Sequence, residues 1–303
     1  MAGKPITYFD RYRKSFVDEQ VYGEGALRFA YETVAGRCLS RWLFARAFVS
    51  RIFGWYMSRP ASRSRIRPFI DAYGLDEQEF SGPEDAYRSF NEFFCRELKP
   101  GSRPVDSDPR SVVFPADGRH FGWQEIGAEE GVFVKGQRWN LEELLDHQED
   151  LVRRFSGGTL VLSRLCPVDY HHFHYPVGGR ISGTRRIRGP LFSVSPIALR
   201  QRLAYLWTNK RCLTLIDTAD AGTCCFIEVG ATNVGSIHHR PLPPDGRVDK
   251  GAPKGWFEFG GSSVVTLFEP GRVTLCEDLL KMTRRGYELY ARAGDRMGAC
   301  PNH

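Results

Sequence analysis

The segment Phe259-Gly260-Gly261-Ser262-Ser263 runs at once into Val264-Val265-Thr266-Leu267-Phe268. The second half is apolar and β-branched and predicts a strand over 263–268, bounded by the glycines before it. A Gly-Ser peptide at the head of such a strand suits cleavage of the chain by itself. Gly261 has no side chain, so its carbonyl can be approached closely and twisted. Ser262 places a hydroxyl beside that carbonyl. Alone the pattern is weak, because Gly and Ser in such a place most often make only a turn.

A serine hydroxyl is a poor nucleophile until a base takes its proton and a third group holds that base. Histidines 120, 147, 238, 239 and 303 are isolated or paired elsewhere, whereas His171, His172 and His174 cluster within Pro167-Val168-Asp169-Tyr170-His171-His172-Phe173-His174-Tyr175-Pro176. If 170–175 is extended, His172 and His174 share one face and His171 takes the other. If it is a bend, spacing does not decide. Three histidines in four residues first suggest a metal, but no third carboxylate or Cys ligand has matching spacing, so none is expected. In Phe114-Pro115-Ala116-Asp117-Gly118, the Asp-Gly pair reads first as a turn.

Two more segments complete the set: Val229-Gly230-Ala231-Thr232-Asn233-Val234-Gly235-Ser236-Ile237, and the helix exit Phe93-Phe94-Cys95-Arg96-Glu97-Leu98-Lys99-Pro100-Gly101-Ser102-Arg103-Pro104. In this order, ending in Gly261-Ser262, the segments resemble the phosphatidylserine decarboxylase family. The resemblance runs from about Tyr8 to Gly298. It implies a chain that makes its own pyruvoyl cofactor. In the family's Asp-Tyr-His-x-x-His-x-Pro motif the second histidine is the base and the first serves decarboxylation, which points to His174 and His171. His172 falls on a variable position, structural or solvent-facing. Asp117 matches the aspartate that orients the base and fixes its tautomer. Ser262 would attack the Gly261 carbonyl, an N-to-O shift would give an ester, elimination would release the chain ending at Gly261, and hydrolysis of the remaining dehydroalanine would free ammonia and leave a pyruvoyl group at 262. The products would be a β chain, 1–261, and an α chain, 262–303. The implied reaction converts phosphatidylserine to phosphatidylethanolamine and CO2 through a pyruvoyl Schiff base, in phospholipid biosynthesis. Two departures stand out. The family's familiar Leu-Gly-Ser-Thr is here Gly260-Gly261-Ser262-Ser263, and Gly-Glu-Glu-Leu-Gly is here Gly251-Ala252-Pro253-Lys254-Gly255. Neither removes a catalytic group.

The expected fold class is α+β. A helical, basic, membrane-associating region over 1–84 precedes a β-rich catalytic domain over 85–303. A helix is expected over 82–98, with Ser81 and Glu84 as a capping box, and a second over 141–151, capped by Asn140. Strands are expected at 159–165, 212–217, 224–229 and 263–268. The eight cysteines, with no C-x-x-C pair, read as scattered thiols; Cys224 and Cys225 should point to opposite faces of a strand.

Charge is unevenly placed. Residues 1–70 hold 13 Lys and Arg against 5 Asp and Glu, net +8 of a whole-chain +6, which leaves the remainder at −2. From Arg37 to Arg67 there are eight arginines, no acid, and Trp42, Phe44, Phe48, Phe53, Trp55 and Tyr56 between them. An anionic lipid surface attracts such a segment; a helical cap with solvated arginines is the plainer reading, since no clean amphipathic stripe emerges. No nucleic-acid module accompanies it. No run approaches the ~20 apolar residues of a membrane span, and the first 20 residues fit no targeting pattern. The expectation is a peripheral protein on the cytoplasmic face of the cell membrane, a homodimer with a phospholipid substrate. Two alternatives stay open: a same-fold pyruvoyl decarboxylase of a soluble amino acid, and an unprocessed, non-enzymatic membrane-binding homologue.

Overall fold

The computed structural model describes residues 5–36, 54–127, 139–231, 237–259 and 262–301. Gly260, Gly261, positions 232–236 and much of the basic segment (37–53) lie outside the described residues. The described strands are β1 (Thr7–Asp10), β2 (Ser15–Asp18), β3 (Ser111–Val113), β4 (Gly118–Trp123), β5 (Thr159–Leu165), β6 (His172–His174), β7 (Gly179–Ile187), β8 (Arg211–Asp217), β9 (Thr223–Val229), β10 (Ile237–His239), β11 (Arg247–Val248), β12 (Pro253–Phe257), β13 (Ser262–Phe268), β14 (Thr274–Leu275), β15 (Glu288–Ala291) and β16 (Arg296–Ala299). Ten of them form one sheet in the order β11-β7-β8-β9-β13-β5-β4-β15-β1-β2; β10-β12-β6 and β14-β16-β3 form two smaller sheets. The architecture is α+β, as expected.

The apolar run that closes the Gly-Ser segment lies in the middle of the large sheet, antiparallel to β5 on one side and β9 on the other. It is buried from Ser262 to Phe268. Alternation divides its side chains between two cores. Val264 and Phe268 pack with Phe173, Phe226 and Phe257 toward the small sheets, while Val265 and Leu267 pack with Leu151, Phe155, Leu199 and Trp207 from the helices on the opposite face. Ser262, in phase with Val264, points toward the small sheets. Cys224 and Cys225 fall in different cores, as their adjacency requires.

Three local expectations change. The helix over 82–98 is a 3-10 turn, Glu84–Ala86, followed by a short helix, Phe90–Phe94, capped by Ser89 rather than Ser81. Ser81 N–H instead donates to the Glu97 carbonyl (3.0 Å), and Phe80 bridges Leu98. Those ends are tied together, whereas a 17-residue helix would hold them ~25 Å apart. The helix over 141–151 keeps its Asn140 cap but breaks into Leu141–Leu144 and Glu149–Phe155. Asp146 and His147 take left-handed backbone (φ 58° and 56°), and the Arg211 guanidinium donates to the Leu144 carbonyl (2.9 Å). Third, among the described residues the N-terminal region begins with strands and is helical only from Glu24 onward, its longest helices being Glu24–Glu32 and Ile66–Tyr73.

Before those helices, β1 and β2 form a hairpin whose β1 pairs in parallel with β15. The first residues are thus part of the main sheet. Glu19, just past β2, is buried between Arg164 (2.6 Å) and Arg119 (3.5 Å), and Arg164 also pairs with Glu288 (2.6 Å). Removing one partner of such a network leaves a buried charge uncompensated, so the hairpin is fastened to the floor of the sheet. Strand β7 was not expected because it is a charged strand next to the two-residue edge strand β11, with four arginines or threonines among its mostly exposed positions.

Candidate active site

Strand register brings the motifs to one end of the large sheet. Ser262 opens β13 opposite Leu165, the last residue of β5. The chain leaves β5 through Cys166 and reaches the histidines within six residues. On the other side of β5, β4 starts at Gly118, directly after Asp117. Gly118 is more than a turn residue: a Cβ there would stand 2.5 Å from the Arg164 carbonyl of β5. Strand β6 carries His172 and His174 and pairs with β12, which leads straight into the Gly-Ser segment. Two backbone bonds fasten the pieces. His174 N–H donates to the Pro115 carbonyl (2.7 Å), and Phe257 N–H donates to the His171 carbonyl (2.9 Å).

The side chains are set as follows. Ser262 Oγ is enclosed and has no hydrogen-bond partner among the described residues. His174 Nδ1 donates to the Gly251 carbonyl (3.0 Å). A carbonyl only accepts, so the neutral ring carries its proton on Nδ1 and its lone pair on Nε2. His174 Nε2 is likewise enclosed and unpartnered among the described residues. Burial lowers the proton affinity of His174 below the ordinary imidazole value, partly offset by the Gly251 bond and the field of Asp117. The ring is therefore neutral at physiological pH, as a base must be. His171 is fully buried, donates from Nδ1 to the Asp169 carbonyl (3.0 Å), and lies against the Phe94 ring with centroids 3.8 Å apart. Its tautomer matches that of His174.

Asp117 departs from its expected part. Its carboxylate accepts from Arg103 Nε and Nη2 (2.6–2.9 Å) and from Ala293 N–H (2.9 Å), not from His174. Gly251, not Asp117, fixes the His174 tautomer. Asp117 acts on His174 through space, as a nearby negative charge that raises its proton affinity. His172 is buried, not solvent-facing. It donates from Nε2 to the Cys95 carbonyl (2.9 Å), stacks on Tyr170, and burial lowers it to about 4.

Sequence reasoning did not find the groups that hold the segment from outside. Phe259, two residues before Gly261, packs into the N-terminal aromatic layer beside Phe90 and Phe94, and its N–H donates to Asn91 Oδ1 (2.9 Å). Nothing in the spacing of Asn91 marks it; only the tertiary fold brings residues 168 positions apart together. Asn91→Ala strands a buried N–H, at a cost of about 1–3 kcal/mol. Thermal unfolding in an uncut background should show that loss, with slower chain cleavage beside it.

A buried serine hydroxyl at the same sheet end as a neutral imidazole, which is oriented by a carbonyl and held in the field of a carboxylate, suits serine-nucleophile chemistry. Comparison with known proteins gives the particular family. A family profile described as phosphatidylserine decarboxylase matches residues 90–299. The phosphatidylserine decarboxylase proenzyme of Ruminiclostridium cellulolyticum is 38% identical over 295 residues, covering 97% of this chain and 98% of that one. The proenzyme of the same description from Chlamydia pneumoniae is 37% identical over 291 residues (96% of each chain), and that from Fusobacterium nucleatum 36% over 298 residues (98% and 99%). The chain belongs to the phosphatidylserine decarboxylase family.

Proposed function

We propose that this chain is a proenzyme that cuts itself between Gly261 and Ser262 and then decarboxylates phosphatidylserine to phosphatidylethanolamine. The observation that carries the reading is the pair of enclosed, unpartnered atoms, Ser262 Oγ and His174 Nε2, at the same sheet end in a member of this family. A buried polar atom left without a partner costs free energy, and a catalytic role is one reason for it to persist. His174 Nε2 takes the Ser262 proton and later returns it. Arg103 and the Ala293 N–H hold Asp117 in place, so that its charge supports the imidazolium that forms.

The buried slot at Ser262 suits a pyruvoyl group made from that serine, which would supply the electron sink for loss of CO2. The Ser262 Oγ itself is enclosed. His171, held by the Asp169 carbonyl and the Phe94 ring, would meet the substrate carboxylate or give the proton. The α chain would begin with β13, whose bonds to β5 and β9 keep it in the sheet after cutting.

A lipid substrate is favoured over a soluble amino acid by the N-terminal surface. Trp55 and Tyr56 are exposed (58% and 40%), each with an arginine, Arg59 or Arg65, over its ring (4.2 and 5.7 Å). Such pairs suit the interfacial zone of an anionic membrane. These exposed rings and arginines support the proposal of peripheral attachment to the cytoplasmic face of the membrane; no helix of the described residues is long and apolar enough to cross one. A homodimer is the assembly we favour. The test is turnover on mixed phosphatidylserine/phosphatidylglycerol vesicles, read as phosphatidylethanolamine formed, beside free serine and free aromatic amino acids. Turnover confined to a free amino acid, with no vesicle binding, defeats the lipid reading.

A further inference from the structure

Behind Ser262, between the large sheet and the β10-β12-β6 sheet, lies a charged cluster that the cleavage chemistry does not use. Glu228 on β9 stands opposite Val264 of β13. It is thus on the Ser262 face of the sheet, one side-chain step further along, a diagonal separation of ~7–8 Å between backbones. Its carboxylate is completely buried. Lys254 Nζ is paired with Glu228 Oε1, and His239 Nε2 stands 3.4 Å from Oε2. Lys254 is 3% exposed and is surrounded by the rings of Phe173, Tyr175 and Phe226 at 5.3–5.9 Å. His239 is 21% exposed. The cluster therefore runs from the surface inward.

Lys254 is aimed inward by a bulge. Pro253 pairs with His174 and Gly255 with the next residue, Phe173, so Lys254 is the extra residue between them. Bulges of this kind re-aim a side chain beside functional sites. A buried ammonium–carboxylate pair is no more stabilising than well-packed apolar residues of the same volume. Stability alone does not explain it.

Loss of CO2 needs one proton per turnover. The bond from the substrate carbon to its carboxylate breaks, the electron pair stays on carbon, and that carbon must take a proton in an enclosed site. We propose that His239, Glu228 and Lys254 form the path by which that proton reaches the Ser262 face from solvent. This rests on the decarboxylase reading above. His239 takes a proton from water, Glu228 carries it between its two oxygens, and Lys254 is the inner end. The charged and titratable groups facing the path are Tyr175, whose ring lies 5.9 Å from Lys254 Nζ, Cys212 of β8, which stands opposite Glu228, and Arg186 of β7, opposite Cys212. Cys212, Glu228 and His239 have ligand-type atoms within 4.8 Å of one another. The Lys254 ammonium occupies the carboxylate as a cation would, so the cluster reads as a proton path rather than a metal site.

The test uses full-length protein carrying Lys254→Met, Glu228→Gln or His239→Ala. Intact mass separates cleavage from turnover. The path requires normal cutting, a kcat at least 10-fold lower with KM within about 3-fold, a larger solvent deuterium effect, and partial rescue of His239→Ala by added imidazole. A second readout is independent of turnover. In uncut Ser262→Ala protein, ¹⁵N spectra should show the His239 ring signals move when Glu228 is replaced by Gln. His239→Ala lies at the rim, so it remains informative if the buried variants do not fold. Wild-type kcat in cut His239→Ala, unmoved His239 signals, or an equimolar divalent metal in the purified protein would each overturn the proposal. Wild-type protein that never cuts would instead defeat the proenzyme reading.

Discussion

Ser262→Ala leaves one uncut chain of 34.5 kDa with no decarboxylase activity, where wild-type protein yields a 1–261 chain and a 262–303 chain. The substitution removes the hydroxyl proposed to attack the Gly261 carbonyl, so the loss is expected to be complete rather than graded. Its effect on the fold should be small and of the opposite sign to most core changes. Ser262 Oγ is enclosed with no hydrogen-bond partner among the described residues, so alanine discards an unpaired polar group and opens little space. An unsatisfied buried group costs about 1–3 kcal/mol, and the variant should be at least as stable as uncut wild type. Intact mass reads the first expectation and thermal unfolding the second. In wild type the small chain should also be one ammonia lighter than a serine-ended chain. A two-chain Ser262→Ala protein would remove the serine from the mechanism.

His174→Ala slows cleavage by about 10²- to 10⁴-fold, the usual contribution of a positioned general base. His171→Ala should instead cut and then fail to decarboxylate. The pH dependence follows from the surroundings of His174. Only the neutral ring accepts the serine proton, and burial holds its proton affinity below the ordinary imidazole value of 6.5. Cleavage should therefore be flat at alkaline and neutral pH and fall along an acid limb centred below 6.5. Asp117→Asn removes a charge that raises the affinity, so it should move that acid limb further down while slowing the reaction. Pulse-labelled chains followed by mass at several pH values give both numbers. An acid limb centred above 6.5 would rule out a base buried as His174 is.

Much of the site was legible in the chain. Gly261-Ser262 before an apolar strand, Asp117 after Pro115, and the spacing of His171 and His174 marked the reacting groups, because their chemistry is carried by residue type and near neighbours. The central strands were also legible, since β5, β8, β9 and β13 are rich in β-branched and apolar residues. Strand β7 was hidden by its arginines, and β6 by its histidines. The helix over 82–98 misled because its apolar spacing also serves a short helix whose flanks are tied together by Ser81 and Glu97.

What only the tertiary structure decided is how the groups are held. Gly251 sets the His174 tautomer from 77 residues away, and Arg103 takes the carboxylate that the motif alone would give to the histidine. Asn91 anchors the segment before the scissile bond, and Glu228 meets Lys254 across two sheets. Each of these is a hydrogen bond or charge pair between segments that are not neighbours in sequence. Local pattern fixes the residue types available for chemistry and the periodicity of the strand. Pairing partners depend on sheet order and register, which the whole chain settles together through burial of its two cores.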